Sequence, residues 1–191
     1  MSPRHRKLGS APAGIRTNLE IFVLAGVGAA LDTAYDLNRF ADLSVGATLP
    51  LLARLETAGL LRSKGGPRRS KQYSLTPAGR FLLQRSWRKL LEDVPREFEA
   101  ILRVAYVAAV MEPSLKSTRS FLSAAAELRR NFAEARQREA QSILRETAAD
   151  FGRGHRWLRA YSDAIRLKAE AAALSSIAVR KDLLFVLLSH R

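Results

Sequence analysis

The 191-residue chain has no cysteine, which excludes disulfides, thiolate metal sites and a cysteine nucleophile and suits a reducing compartment. Its three histidines, His5, His155 and His190, fall in a tail, at a loop and near the chain end, without carboxylate partners at metal-ligand spacing. No G-x-S-x-G segment, no glycine-rich phosphate cradle and no pair of acids in an apolar setting occurs. Glu97 and Glu99 lie two apart, on different faces of one helix. These absences argue against an enzyme, and neither a catalytic residue, a metal site nor a cofactor is expected. Uncharged runs are short too. Ile21 to Leu31, bounded by Glu20 and Asp32, falls well below the roughly 20 residues of a membrane span. Arg4, Arg6, Lys7 and Arg16 precede that run as in a signal peptide, but Glu20 at its start weighs against export. A cytoplasmic protein with no membrane partner is expected.

Acids are scarce relative to bases: 18 Asp and Glu against 32 Lys and Arg, a formal charge of +14. Such a balance points to nucleic acid or another anionic surface as partner, unless it only reflects an arginine-rich soluble protein. Residues 1–80 hold 12 bases against 5 acids and residues 81–191 hold 20 against 13. Each part is therefore +7, the first with far fewer acids. A hydrophobic content of 47% with 26% charged residues describes a folded chain rather than a disordered one, long enough for one or two domains.

The informative stretch is Ser44 to Gly79. Leu49, Leu52 and Leu55 recur at a spacing of three beside Leu51 and Leu60, giving one apolar stripe with Thr48 and Arg54 on the other side. Gly59 follows where a helix end wants positive φ. Pro50 admits two starts for this helix: Thr48 as N-cap with Pro50 in the first turn, or a start near Ser44 with a bend at Pro50. Lys64-Gly-Gly-Pro-Arg-Arg-Ser70 then joins two short β-prone runs, predicting a hairpin. Lys64, Arg68, Arg69 and Lys71 give it one sign of charge, with no acid between Glu56 and Glu92. Thr76-Pro77 closes the unit as N-cap and first helical residue.

The order of Gly46-Ala-Thr-Leu-Pro-Leu-Leu-Ala-Arg-Leu-Glu56, Gly59-Leu60-Leu61 and Lys71-Gln-Tyr-Ser-Leu-Thr-Pro-Ala-Gly79 resembles the PadR-type winged helix-turn-helix regulators. Thr33-Ala-Tyr-Asp-Leu37 resembles that family's H-G-Y-E-L. The likeness covers roughly Leu19 to Leu83. Leu49, Ala47 and Gln72 depart from the family's tyrosine, threonine and first wing tyrosine. The resemblance implies a recognition helix whose contacts to double-stranded DNA come from Ser44, Ala47, Thr48, Leu49 and Arg54, the last either contacting phosphate or simply pairing with an acid. It likewise implies a wing whose contacts come from Lys64, Arg68, Arg69, Lys71 and Tyr73. It also implies a helical C-terminal region that forms a homodimer.

Around this motif, residues 1–16 read as a mobile basic tail. Helices follow over Thr17 onward and Leu31–Ala41, with Tyr35 packing the pair. The helix opened by Thr76 is expected to run to Pro95, making 17–94 the DNA-binding domain and 95–191 an all-helical domain. That second domain should hold helices over Arg96–Met111, Ser114 to about Phe151, and His155–His190. Phe121, Ala125, Leu128, Phe132 and Ala135 would form the seam of the long helix, with Arg129 among the charges on its outside, and Gly152-Arg153-Gly154 would end it. Trp157, Leu158, Tyr161, Ile165 and Leu174 would supply the core side of the last helix. Trp87 is the candidate contact for a small-molecule effector. The expectation is a mainly α protein with a small β-hairpin wing, a homodimeric, sequence-specific repressor. The alternatives are a sequence-tolerant basic nucleic-acid-binding protein and a winged-helix scaffold that does not bind DNA.

Overall fold

The computed structural model describes residues 18–41, 43–66, 70–146, 151–180 and 182. The expected tail 1–16, Arg68 and Arg69 of the expected wing, and His190 lie outside these residues. The described chain is mainly helical with one two-stranded antiparallel sheet. It divides into two compact units, Met1–Arg85 and Ser86–Arg191, so residues 86–94, expected in the first, belong to the second.

The first unit contains α1 (Asn18–Gly28), α2 (Ala34–Ala41), α3 (Val45–Thr57), the hairpin β1 (Leu61–Gly65) and β2 (Lys71–Leu75), and most of α4 (Pro77–Ser86). Helix α1 is buried continuously from Glu20 to Val27. Thr33 caps α2, its Oγ1 accepting from Asp36 N at 3.0 Å, so this helix begins later than Leu31. The residues left out of it have another use: Tyr73 N donates to the Asp32 carbonyl at 2.6 Å, laying the α1–α2 connection along β2. Asn38 Nδ2 donates to the Leu43 carbonyl at 2.7 Å and pins the turn into α3.

Helix α3 starts near Ser44, whose Oγ accepts from Ala47 N at 3.3 Å, and it runs through Pro50. Its core side is Leu51, Leu52 and Leu55, together with Thr48. Gly59 takes φ +70; its N–H donates to Glu56 O, and Leu60 N to Leu55 O, which closes the helix end by the two-bond Schellman arrangement. The chain then reverses through the hairpin, with Leu61 opposite Leu75 and Ser63 opposite Tyr73. Alternation along the strands buries Leu61, Tyr73 and Leu75 while Arg62, Lys64 and Ser74 stay exposed. Thr76 caps α4 through Gly79 N at 3.0 Å, and Thr76 N donates to the Leu60 carbonyl at 3.1 Å. Gly79 packs so closely here that a Cβ would sit 2.1 Å from the Leu60 oxygen.

The second unit opens with a 3₁₀ turn, Trp87–Leu91, where a continuous helix to Pro95 was expected. Helices α5 (Phe98–Met111), α6 (Lys116–Arg145) and α7 (Phe151–Val179) follow. Helix α7 begins before Gly152 and Gly154, so these glycines sit in its first turn and do not break α6. Helix α5 buries Ile101, Val104, Ala105 and Ala109 in one cluster with Phe121, Leu122, Ala125 and Ala126 of α6 and Leu174 and Ala178 of α7.

The seam between α6 and α7 differs from the expected one. Phe121 and Ala125 are buried, but Leu128 is half-buried, Phe132 is 46% exposed and Ala135 is exposed. The buried row on α6 is Leu122, Ala126, Arg129, Ala133, Ala140 and Ile143. On α7 it is Ala160, Ala164, Leu167, Ala171, Leu174 and Ala178, not Leu158, Tyr161 or Ile165, which are all exposed. Alanines recur every seventh residue in both rows, a coiled-coil repeat whose small knobs let the backbones approach closely. Phe132 and Tyr161 are too large for such a gap and are displaced to its flanks. Arg129, expected outside, is buried instead and paired with Glu170 at 3.3 Å.

The Gly79→Ala variant is expected to lose about 3 kcal/mol or more of stability, because its methyl group would overlap a backbone atom that cannot yield. Urea unfolding of both proteins, followed by circular dichroism, measures this, and a loss below about 1 kcal/mol would contradict the packing described.

Candidate nucleic-acid interface

The α2–α3 pair presents its outer surface through short-range capping and one side-chain tie. With Ser44 at the N-cap and Leu51, Leu52 and Leu55 turned inward, the described positions left facing water on the cap and α3 are Ser44, Gly46, Ala47, Leu49, Pro50, Ala53, Arg54 and Thr57. Leu49 is thus not part of the core stripe; it is 49% exposed and available to a ligand. Thr48 requires a correction. It is buried, and its Oγ1 donates to the Ser44 carbonyl at 2.8 Å, so it helps close the first turn of α3 and offers nothing at the surface. Arg54 pairs with the buried carboxylate of Glu20 at 2.6 Å. That contact ties α3 to α1 and gives a buried acid its counter-charge.

Tyr35, expected to pack between helices, is 63% exposed, and its hydroxyl accepts from Arg39 Nη1 at 3.4 Å. The reason is spacing: Leu37, not Tyr35, occupies the inward position of the short α2. Tyr35 and Arg39 therefore join the exposed polar surface of the α2–α3 pair. Sequence reasoning missed Arg39 because a single arginine on an eight-residue helix carries no periodic signal.

The hairpin is braced against α3 by Glu56. Its Oε1 accepts from Ser63 Oγ at 2.5 Å and its Oε2 from Lys71 Nζ at 3.3 Å. These hydrogen bonds, that of Ser63 foremost and then that of Lys71, hold the Glu56 carboxyl below its ordinary pKa. Tyr73 requires the second correction: it is buried at 6% exposure, because its strand position faces the core, and it is not one of the exposed side chains of the hairpin. The opposite face of the sheet carries Arg62, Lys64, Gln72 and Ser74, which with Asp32 border a hollow of about 460 Å3. Arg62 Nε donates to Ser74 Oγ at 3.0 Å. Arg62 was absent from the expected contacts, although its i, i+2 relation to Lys64 was the available signal.

The structure therefore gathers Lys64, Lys71 and the unforeseen Arg62 on the hairpin, and Ser44, Ala47 and Leu49 on the exposed side of α3. In the second unit Trp87 is buried at 6% exposure with the Arg88 guanidinium 5.2 Å over its ring, an ordinary core indole covered by a cation. Among the described residues no group of three or more His, Cys, Asp or Glu could hold a metal ion, and no helix is long and apolar enough to cross a membrane. The chain matches no protein-family profile and no curated protein.

The Ser63→Ala variant is expected to raise the Glu56 pKa toward the usual carboxylate range. A carboxyl depressed by folding contributes stability above its unfolded pKa and loses it as pH falls through the folded value. The brace between α3 and the hairpin should therefore release at higher pH in the variant than in the parent. An NMR titration of the Glu56 side-chain carboxyl checks this; equal midpoints would mean that Ser63 does not hold it.

Proposed function

We propose that the first unit is a winged helix-turn-helix domain binding double-stranded DNA, and that the protein is a PadR-like, cytoplasmic, homodimeric transcriptional repressor. The observation that carries this reading is the joint between α3 and the hairpin. Glu56 braces a helix with an exposed N-terminal half to a hairpin whose outer face is basic. A rigid pair of this kind can set one helix in a major groove while the strands track the neighbouring phosphates. The Asp32–Tyr73 hydrogen bond adds support, because it gives the hairpin a third backbone partner as a winged helix requires.

The division of labour follows from the side chains. Lys64, Lys71, Arg62, Arg68 and Arg69 supply phosphate contacts and so most of the affinity. Ser44, with Ala47 and Leu49 against thymine methyls, supplies the base reading. Arg54 acts through its pair with Glu20, which orients α3, and Arg39 and Tyr35 extend the phosphate-facing surface. The dimer reading is supported by apolar side chains that the single chain leaves uncovered. Leu144, Leu158, Tyr161 and Ile165 are all 47% exposed or more, with Trp157 stacked on Tyr161 at 5.2 Å. A dimer would read two half-sites about 34–36 Å apart. Release by a small molecule belongs to the same proposal.

One observation favours a second reading. Among the described residues the N-terminal half of α3 and its cap offer one exposed hydroxyl, from Ser44, and no side-chain amide, while Thr57 at the far end donates its own to the Ala53 carbonyl, so base discrimination is weak and a sequence-tolerant binder would use the same basic hairpin.

Fluorescence-anisotropy titration of a duplex from the protein's own upstream region, against a scrambled duplex at two salt concentrations, separates these readings. A preference of ~10³-fold or more that persists at higher salt is expected for the repressor. Equal binding that collapses with salt would select the tolerant binder, and no binding to either duplex would leave a scaffold. Lys64→Ala should weaken both duplexes alike and lower the salt slope by about 1, and Arg68→Ala with Arg69→Ala should weaken them further.

A further inference from the structure

Six charged side chains form one connected series across α6 and α7. Glu139 meets Arg136 at 2.5 Å, Arg136 meets Asp163 at 3.9 Å, and Asp163 meets Arg166 at 3.0 Å. Arg166 then meets Glu170 at 3.0 Å, and Glu170 meets Arg129 at 3.3 Å. Arg129, its side chain 7% exposed, ends the series by donating from Nη2 to the Arg96 backbone carbonyl. Signs alternate, so three carboxylates and three guanidinia cancel.

This series borders a groove of about 410 Å3 whose lining also includes Arg96, Phe132, Ala135 and Leu167. Two features of the groove are unbalanced. Arg96 is exposed and, among the described residues, pairs with no carboxylate, while every acid at the groove already serves another arginine. Phe132 leaves 46% of its surface to water although it stands beside the apolar Ala135 and Leu167. The unmatched charge is positive and single, the adjoining surface is hydrocarbon, and the volume lies within the range of small-ligand clefts.

We propose that this groove binds a small amphiphilic organic anion, its one anionic group paired with Arg96 and its apolar body laid on Phe132, Ala135 and Leu167. A cation would find only carboxylates already engaged. A dianion would have to break the Arg136 or Arg166 pairs to gain a second partner. A neutral apolar molecule would cover Phe132 but leave Arg96 unmatched. The groove uses only residues of the second unit, so the proposal stands independently of DNA binding by the first.

The test uses 1-anilinonaphthalene-8-sulfonate, a single sulfonate on an aromatic body, titrated against the full chain with fluorescence as readout. Saturable binding of one probe per chain is expected, weakened ~10-fold or more by Arg96→Gln through loss of the charge-assisted contact. Phe132→Ser should weaken it as well, whereas Ile165→Ser, which alters the separate apolar surface on α7, should leave it unchanged. The uncharged N-phenyl-1-naphthylamine should bind more weakly and be indifferent to Arg96→Gln. Arg96 is exposed, so its variant keeps the fold, which circular dichroism checks. Absence of probe binding, binding that Arg96→Gln changes by less than about twofold, or binding lost in Ile165→Ser would each overturn the proposal.

Discussion

The Leu60 carbonyl is the point on which the first unit depends. It receives Thr76 N at 3.1 Å and Thr76 Oγ1 at 3.2 Å, and it lies against the bare Cα of Gly79. The two ends of the hairpin meet there, one continuous with the end of α3 and the other with the start of α4. A buried carbonyl left unpaired would cost free energy of the order of a lost hydrogen bond, so the capping threonine both starts a helix and closes the loop that precedes it. The hairpin, too short to be stable alone, is thereby held between two helices. Its basic face is presented in a fixed relation to α3, which is what a DNA-reading surface would need.

The second unit meets a different constraint. Alanines at every seventh position of α6 and α7 give close approach but little to distinguish one register from the next, since one small side chain resembles another. The series of ion pairs from Glu139 to Arg129 supplies that distinction, because sliding either helix by a turn would bring like charges together. Its most enclosed members, Arg129 and Glu170, are costly to desolvate and contribute register more than net stability. The same series leaves Arg96 as the unmatched cation beside the groove, so the device that aligns the helices also defines the electrostatics of the groove.

Local chemistry was legible wherever one residue type has one backbone use. Gly59 at positive φ, Thr76 as a cap before Pro77, and the turn-rich hairpin follow from short-range rules, and the basic character of the hairpin follows from composition. Misreadings arose where two faces of a helix competed. Thr48 looked like a surface hydroxyl, yet it satisfies the Ser44 carbonyl inside the first turn. Leu49 reads both as part of the apolar stripe and as a surface contact, and only the second agrees with its exposure, since Leu51 and Leu52 fill the core. Tyr35 and Tyr73 exchanged places with expectation, the one exposed and the other buried, because strand parity and helix phase are set by neighbours that are distant in sequence.

By itself, then, the sequence determined the local devices and the balance of charge: caps, turns, the absence of cysteine chemistry, and a hairpin rich in lysine and arginine. These depend on interactions within a few residues, whose energies are much the same in any fold. Only the tertiary structure decided which helix face is inside. Hydrophobic periodicity weights large side chains, but the α6–α7 interface selects small ones, because dispersion and burial grow as the two backbones draw together. That preference is a property of the pair and is written in neither helix alone. It is why the alanine rows form the seam, why Phe132, Tyr161 and Ile165 are left at the surface, and why Arg129 is drawn inward to meet Glu170.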